Sequence, residues 1–161
     1  ATYKGCLYAG LMVTKEGLKV VEFNARFGDP ETQVVIPLLS GDLVKIMVSC
    51  AKGELDVDEV RFRDGAAVCV VLASGGYPGA FTKGNVITGV KKAESLGALV
   101  FHAGTKEETG TLLTAGGRVL NVVALSDNVK NARDKAYGAA KEISFEDMHY
   151  RKDIAYRALN R

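Results

Sequence analysis

Residues 54–65, ELDVDEVRFRDG, constrain the fold of this chain more than any other stretch. They are charged and follow neither a period of two nor one of 3.6, so they predict neither a regular strand nor an amphipathic helix. Before them, two long apolar runs flank a short polar turn, and helical patterns follow. After them come short apolar runs cut by glycine. A chain of 161 residues that changes texture once, at a hydrophilic seam, predicts two small α/β domains at 1–60 and 61–161.

In the first part, CLYAGLMVT and LKVVEFNARF enclose the turn KEG and predict a hairpin. Period two then places Glu22, Asn24 and Arg26 on one face of the second strand. Val21, Phe23, Ala25 and Phe27 fall on the other, the predicted core side. Asp29 is a good helix N-cap and Pro30 suits the first helical position, with Glu31 favouring the positive end of the dipole. Pro37, Gly41 and Asp42 interrupt that helix, and DLVKIMVSCAKGEL restarts a second with the stripe Leu43, Ile46, Met47 and Cys50.

In the second part AAVCVVLAS predicts a buried strand, GGYPGAFTKG a loop and NVITGV a short strand. ALVFHAGT and GTLLTAGGRVLNVVAL add strands that turn at Gly104 and at Gly116–Gly117. Asp127 or Ser126 caps a final helix with Val129, Ala132, Ala136, Ala140 and Ile143 on one side. The basic, amphipathic tail YRKDIAYRAL is expected to pack back on the sheet.

Composition excludes several classes of function. A net charge of +2, from 21 basic and 19 acidic residues, gives no electrostatic reason to expect nucleic acid or a membrane surface. No apolar run approaches the ~18 residues of a membrane span. Cys6, Cys50 and Cys69, embedded in apolar sequence, read as buried reduced thiols of a cytoplasmic protein. The start, ATYKGCLYAG, lacks a signal-peptide layout and suits a segment cut from something larger.

Two oxygen-bearing side chains two apart on a strand can reach one hard cation, so Glu22 and Asn24 suit Mg²⁺, with phosphate oxygens completing the shell. Arg26 suits a carboxylate or other anion held by two hydrogen bonds. The same spacing describes an amphipathic strand with a solvated face, which spacing alone favours. GDPE is ordinary helix-start chemistry. SGGYPGAFTKG fits neither G-x-x-x-x-G-K-[ST] nor G-x-G-x-x-G and reads as a tight loop. His102 reads as a hydrogen-bonded structural residue, and Arg118 as a hairpin flank.

The string RFGDPETQ, residues 26–33, resembles the signature of the phosphoribosylamine–glycine ligases. YKGCLYAGLMVT, VVEFNARFGDPETQVVIPLL, SGGYPGAFTKGNVITG, VFHAGT, GGRVLNVVAL and YRKDIAYRAL resemble further family segments, in the family's order. The resemblance implies the end of an ATP-grasp domain followed by a small mixed, antiparallel-sheet domain. It also implies a parent enzyme of purine biosynthesis that joins glycine to 5-phosphoribosylamine, cleaving ATP to ADP and phosphate. On that resemblance Glu22 and Asn24 are the Mg²⁺ or Mn²⁺ ligands, and Arg26 steadies the glycine carboxylate or its acyl phosphate. Asp29 and Glu31 shape the substrate pocket, and Leu11 and Met12 touch adenine. Its partners are then small molecules and the remainder of the ligase chain.

Two departures qualify the likeness. The preceding strand, LYAGLMV, carries no carboxylate, which leaves two protein ligands. Much of the family's chain has no counterpart in this sequence, so the segment alone is expected to be inactive. The alternatives are a non-catalytic structural or dimerisation module, or another ATP-grasp enzyme such as a carboxylase subunit; RFGDPE argues against the carboxylase.

Overall fold

The computed structural model describes residues 2–160, which divide into two compact units between Arg63 and Asp64. The first opens with an antiparallel hairpin, β1 (Tyr8–Thr14) and β2 (Gly17–Asn24), closed by Thr14 pairing Gly17. Two helices follow, α1 (Thr32–Leu38) and α2 (Leu43–Lys52), and then a single 3-10 turn at Val57–Glu59. Asp42 accepts a hydrogen bond from the Lys45 amide and starts α2, and left-handed Gly53 ends it. The seam residues return to α1: Leu39 bridges Phe62, and the Arg63 amide donates to the Leu38 carbonyl.

Three expectations for this unit are corrected. Asp29 does not cap α1. The Gly28 carbonyl takes both the amide and the hydroxyl of Thr32, so the chain turns through Asp29 and the cis-bonded Pro30, and the helix begins two residues later. Val21 and Phe23 are not buried but 64% and 62% exposed, because neither face of this two-stranded sheet is covered within the unit. The cysteines carry thiols as expected, but Cys6 and Cys50 here, like Cys69 of the second unit, are half-buried rather than buried.

The second unit is built on β3 (Ala66–Ala73), α3 (Val90–Ser95), β4 (Leu99–His102), β5 (Thr105–Glu108), β6 (Thr111–Thr114) and β7 (Arg118–Ser126). The helices α4 (Val129–Ala140) and α5 (Tyr156–Leu159) complete it. The antiparallel sheet runs β3–β7–β4, with β5–β6 as a separate hairpin. As the middle strand, β7 is buried from Val119 to Ala124, which explains its continuous apolar run. On β3 the pleat alternates: Val68, Val70 and Leu72 face the core beside their β7 partners Ala124, Val122 and Leu120. Ala132, Ala136, Ala139 and Ala140 of α4 close this core, their small side chains letting the helix lie against the sheet.

The core's ends are fixed by backbone contacts. A Cβ on Gly104 would fall 2.6 Å from the Gly116 Cα, so these two turns touch through their main chains. The tail folds back, though its ties are to helix α4 rather than the sheet: Tyr137 bonds the Arg151 carbonyl and the Ile154 amide, while His149, just before the tail, exchanges backbone hydrogen bonds with Ala73.

Here too the sequence reading shifts in places. NVITGV forms only isolated bridges, Val86 to Leu113 and Thr88 to Ser144, and its last residue already opens the unforeseen helix α3. Asn128, not Asp127 or Ser126, caps α4 by accepting from the Asn131 amide. KEE is a strand, β5, whose edge position lets it stay polar.

Candidate metal and substrate edge

The hairpin gathers most of the sequence-predicted site residues. In the β1–β2 ladder Tyr8 pairs with Asn24 and Gly10 with Glu22. Gly10 has no side chain, so nothing stands beside the Glu22 carboxylate from the neighbouring strand. Asn24 Nδ2 donates to Glu22 Oε1 at 3.0 Å, which confirms that the two side chains meet on one face. That bond also orients them. It uses the amide's nitrogen, so Asn24 Oδ1 and Glu22 Oε2 are hard oxygens that this bond does not engage. Among the described residues no group of three or more His, Cys, Asp and Glu is placed to hold a metal ion.

The remaining predicted residues are placed less uniformly. Arg26 lies past the end of β2 and is exposed, with Nη1 donating to the Phe27 carbonyl at 2.8 Å and its other N–H groups available for an anion. Asp29 Oδ1 accepts from Gln33 Nε2 at 2.9 Å. Leu11 pairs with Val20 and Met12 with Lys19, so Val21 is an extra residue of β2, a bulge. Alternation along β1 puts Met12 on the same face as Gly10 and Tyr8, and Leu11 on the opposite one. Both are about half exposed.

One residue of the site escaped the sequence reading. Tyr8, half-buried, lies on the Glu22–Asn24 face and donates from its phenol to Glu31 Oε1 at 3.2 Å. Desolvation, then the Glu31 charge and its hydrogen bond, and then Glu22, push the phenol above its ordinary pKa. Period two along β1 puts Tyr8 on the face of Gly10, but its place beside Asn24 comes from the cross-strand register. In turn Glu31 folds back on its own loop: a Cβ on Gly28 would fall 2.5 Å from its Oε2. Glu22, Asn24, Tyr8 and Glu31 thus form one polar edge.

His102 is exposed, its Nδ1 3.0 Å from Thr105 Oγ1, which agrees with a structural role.

Comparison with known proteins bears on what this edge serves. Residues 67–157 match the family model of the phosphoribosylglycinamide synthetase C domain, and residues 1–32 that of its ATP-grasp (A) domain. The chain belongs to the phosphoribosylglycinamide synthetase family. The resemblance drawn from RFGDPETQ is thereby borne out, and the carboxylase alternative falls away. The chain is 52% identical to a phosphoribosylamine–glycine ligase of Caldanaerobacter subterraneus over 95% of its own length and 36% of that protein. It is 50% identical to the trifunctional purine biosynthetic protein adenosine-3 of Gallus gallus, over 98% of this chain and 16% of that one. The crystal structure of phosphoribosylamine–glycine ligase from Thermotoga maritima superposes with a TM-score of 0.78 at 39% identity, covering 91% of this chain and 36% of that one. The chain therefore spans about a third of the length of the single-activity ligases it matches.

Proposed function

We propose that this chain supplies the metal-binding edge and C-terminal domain of an ATP-dependent, cytoplasmic ligase of purine biosynthesis. That ligase joins glycine to 5-phosphoribosylamine to give glycinamide ribonucleotide, ADP and phosphate. Residues 1–60 are the end of its ATP-grasp domain and 61–161 its C-terminal domain. The observation that carries the reading is the Glu22–Asn24 pair, meeting on one strand face, inside a sequence whose residues 1–32 and 67–157 match this family's models and 95% of which aligns with a ligase relative.

The donor set fits Mg²⁺ or Mn²⁺, which prefer oxygen ligands. Glu22 and Asn24 would hold the ion, which when bound neutralises charge on the ATP phosphates. The overall chemistry proceeds in two balanced steps. A glycine carboxylate oxygen bonds to the γ-phosphorus as the bond to ADP breaks, and the phosphoribosylamine nitrogen then bonds to the acyl carbon, releasing phosphate and a proton. Arg26 steadies the negative charge that both steps place on the glycyl group, with N–H donors already fixed in direction. Asp29 and Glu31 line the substrate side. Leu11 and Met12 are the adenine contacts, and Met12 shares the face of the metal edge. The exposed apolar side chains of the first unit, Val21 and Phe23 among them, meet the remainder of a family-length ligase.

The test is Glu22→Gln in a family-length ligase carrying this segment. It should abolish ATP-dependent formation of glycinamide ribonucleotide while the circular dichroism spectrum and melting temperature stay those of the wild type. Wild-type turnover in that variant would sink the assignment. The 161-residue chain alone should show no turnover.

A further inference from the structure

The carboxylate of Glu31 stands where a helix N-cap would, yet its side chain makes no capping hydrogen bond to α1. The short side chains Ser, Thr, Asp and Asn are the ones that cap a helix's free amides, and the longer glutamate is left to reach elsewhere. Here one oxygen accepts from the phenol of Tyr8 instead, and the other lies against Gly28. The loop that carries it is already tied without it, since the Thr32 amide and hydroxyl both bond the Gly28 carbonyl and Gln33 bonds Asp29. The Tyr8–Glu31 bond is therefore not needed to shape the turn or to start the helix. What it does accomplish is to fasten the carboxylate of the turn to the strand face that carries Glu22 and Asn24, because Tyr8 is the direct ladder partner of Asn24.

We propose that Tyr8 is a positioning residue: its phenol holds Glu31 at the end of the metal edge, where the carboxylate accepts N–H donors from the amine end of a substrate. This rests on the reading of Glu31 as a substrate contact. The chemistry is that of complementary charge. A carboxylate with one oxygen fixed by a phenol keeps free lone pairs for an amine or ammonium, while Arg26, two residues past Asn24 at the same end of β2, is suited to a carboxylate or phosphate. A substrate that is anionic at one end and carries an amine at the other, as an amino acid does, matches this layout. A tyrosine loses little conformational entropy in such a role, having two side-chain torsions.

The experiment uses a family-length ligase carrying this segment, with the variants Tyr8→Phe, Glu31→Gln and the double substitution. Kinetics with glycine, phosphoribosylamine and ATP, Mn²⁺ binding by titration calorimetry, and the melting temperature are measured for each. Tyr8→Phe removes only the hydroxyl. It should raise KM for one amine-bearing substrate about tenfold, the scale of one charge-assisted hydrogen bond, with kcat changed less than about twofold. Mn²⁺ affinity and melting temperature should not move, and the double variant should be no worse than Glu31→Gln. Unchanged KM values in Tyr8→Phe, or effects that add in the double variant, would overturn the proposal. So would a loss of activity that tracks a fall in melting temperature, the mark of a purely structural bond. Normal wild-type turnover with any of these results overturns this proposal alone. A wild-type enzyme that forms no glycinamide ribonucleotide overturns the underlying reading, and this proposal with it.

Discussion

The two units of the chain divide their roles sharply. Every buried hydrophobic side chain among the described residues belongs to the second, from Val68 to Phe145, whereas in the first the apolar side chains of the hairpin lie open. The first unit carries the polar edge proposed as the metal site, and the second carries the buried core. A two-stranded sheet with two short helices cannot bury enough surface to fix a site by itself. The difference teaches that substitutions in the two units should fail in different ways, one in activity and the other in stability.

The largest effect expected is Arg26→Ala in a family-length ligase. If Arg26 stabilises developing negative charge as proposed, its removal should cost about 10²–10³-fold in kcat, with no change in melting temperature, as read by steady-state kinetics and thermal denaturation. A parallel loss of stability would break the division. In the second unit, Leu72→Ala opens a cavity in the core between β3 and α4 and should cost about 2–5 kcal/mol, read by urea denaturation of the 161-residue chain. The matching substitution in the first unit, Phe23→Ala, should move the same denaturation curve by less than about 0.5 kcal/mol, because the ring is already exposed. An equal cost at both positions would mean that the hairpin face is covered.

Smaller effects sharpen the comparison within the second unit. Asn128→Ala removes the cap of α4 and should cost about 1 kcal/mol, with Asn128→Asp retaining most of it. Smallest is a pH effect. The hydrogen bonds from Arg133 and then Lys130 hold the Asp134 carboxyl below its ordinary value of 3.8. A carboxylate with a depressed pKa stabilises the folded state fully above the ordinary value, and that contribution is lost as pH falls through the lowered one. Asp134→Asn should therefore lower the melting temperature a little above about pH 4, where the contribution is present, and leave it unchanged at the acid end, where both side chains are neutral, so that the acid limb is flatter, as followed by melting temperature across pH 2–7. The pair is exposed, so the change should be slight.

What could be read from the sequence follows the same division. The face shared by Glu22 and Asn24 was legible because alternation in a strand is set by the pleat alone, whatever covers it. Which face is the core side was not legible, since Phe23 and Val21 are apolar by composition yet uncovered within their unit. The restart of α2 was legible from DLVKIMVSCAKGEL, though Asp42 was read as an interruption rather than its cap, and the cap of α4 was legible to within a residue or two of Asn128. Asp29 misled because Asp-Pro is equally a turn, and the Gly28 carbonyl decided between them by taking Thr32. The helix α3 was hidden by its brevity, six residues starting at a β-branched valine. Tyr8 entered the site through a pairing between strands, which no single strand's pattern reveals.

The extra residue at Val21 has a consequence beyond local twist. A hairpin whose two faces are both open has no hydrophobic preference to tell it how far one strand should slide along the other, and a slip of one place would send Glu22 and Asn24 to the wrong side. The bulge supplies the missing reference mark: any slide must carry a two-against-one mismatch out of the place where Gly10 and Leu11 accommodate it. The alignment of the polar edge is thus written into a miscount of residues, in a strand that solvent would otherwise leave free to choose.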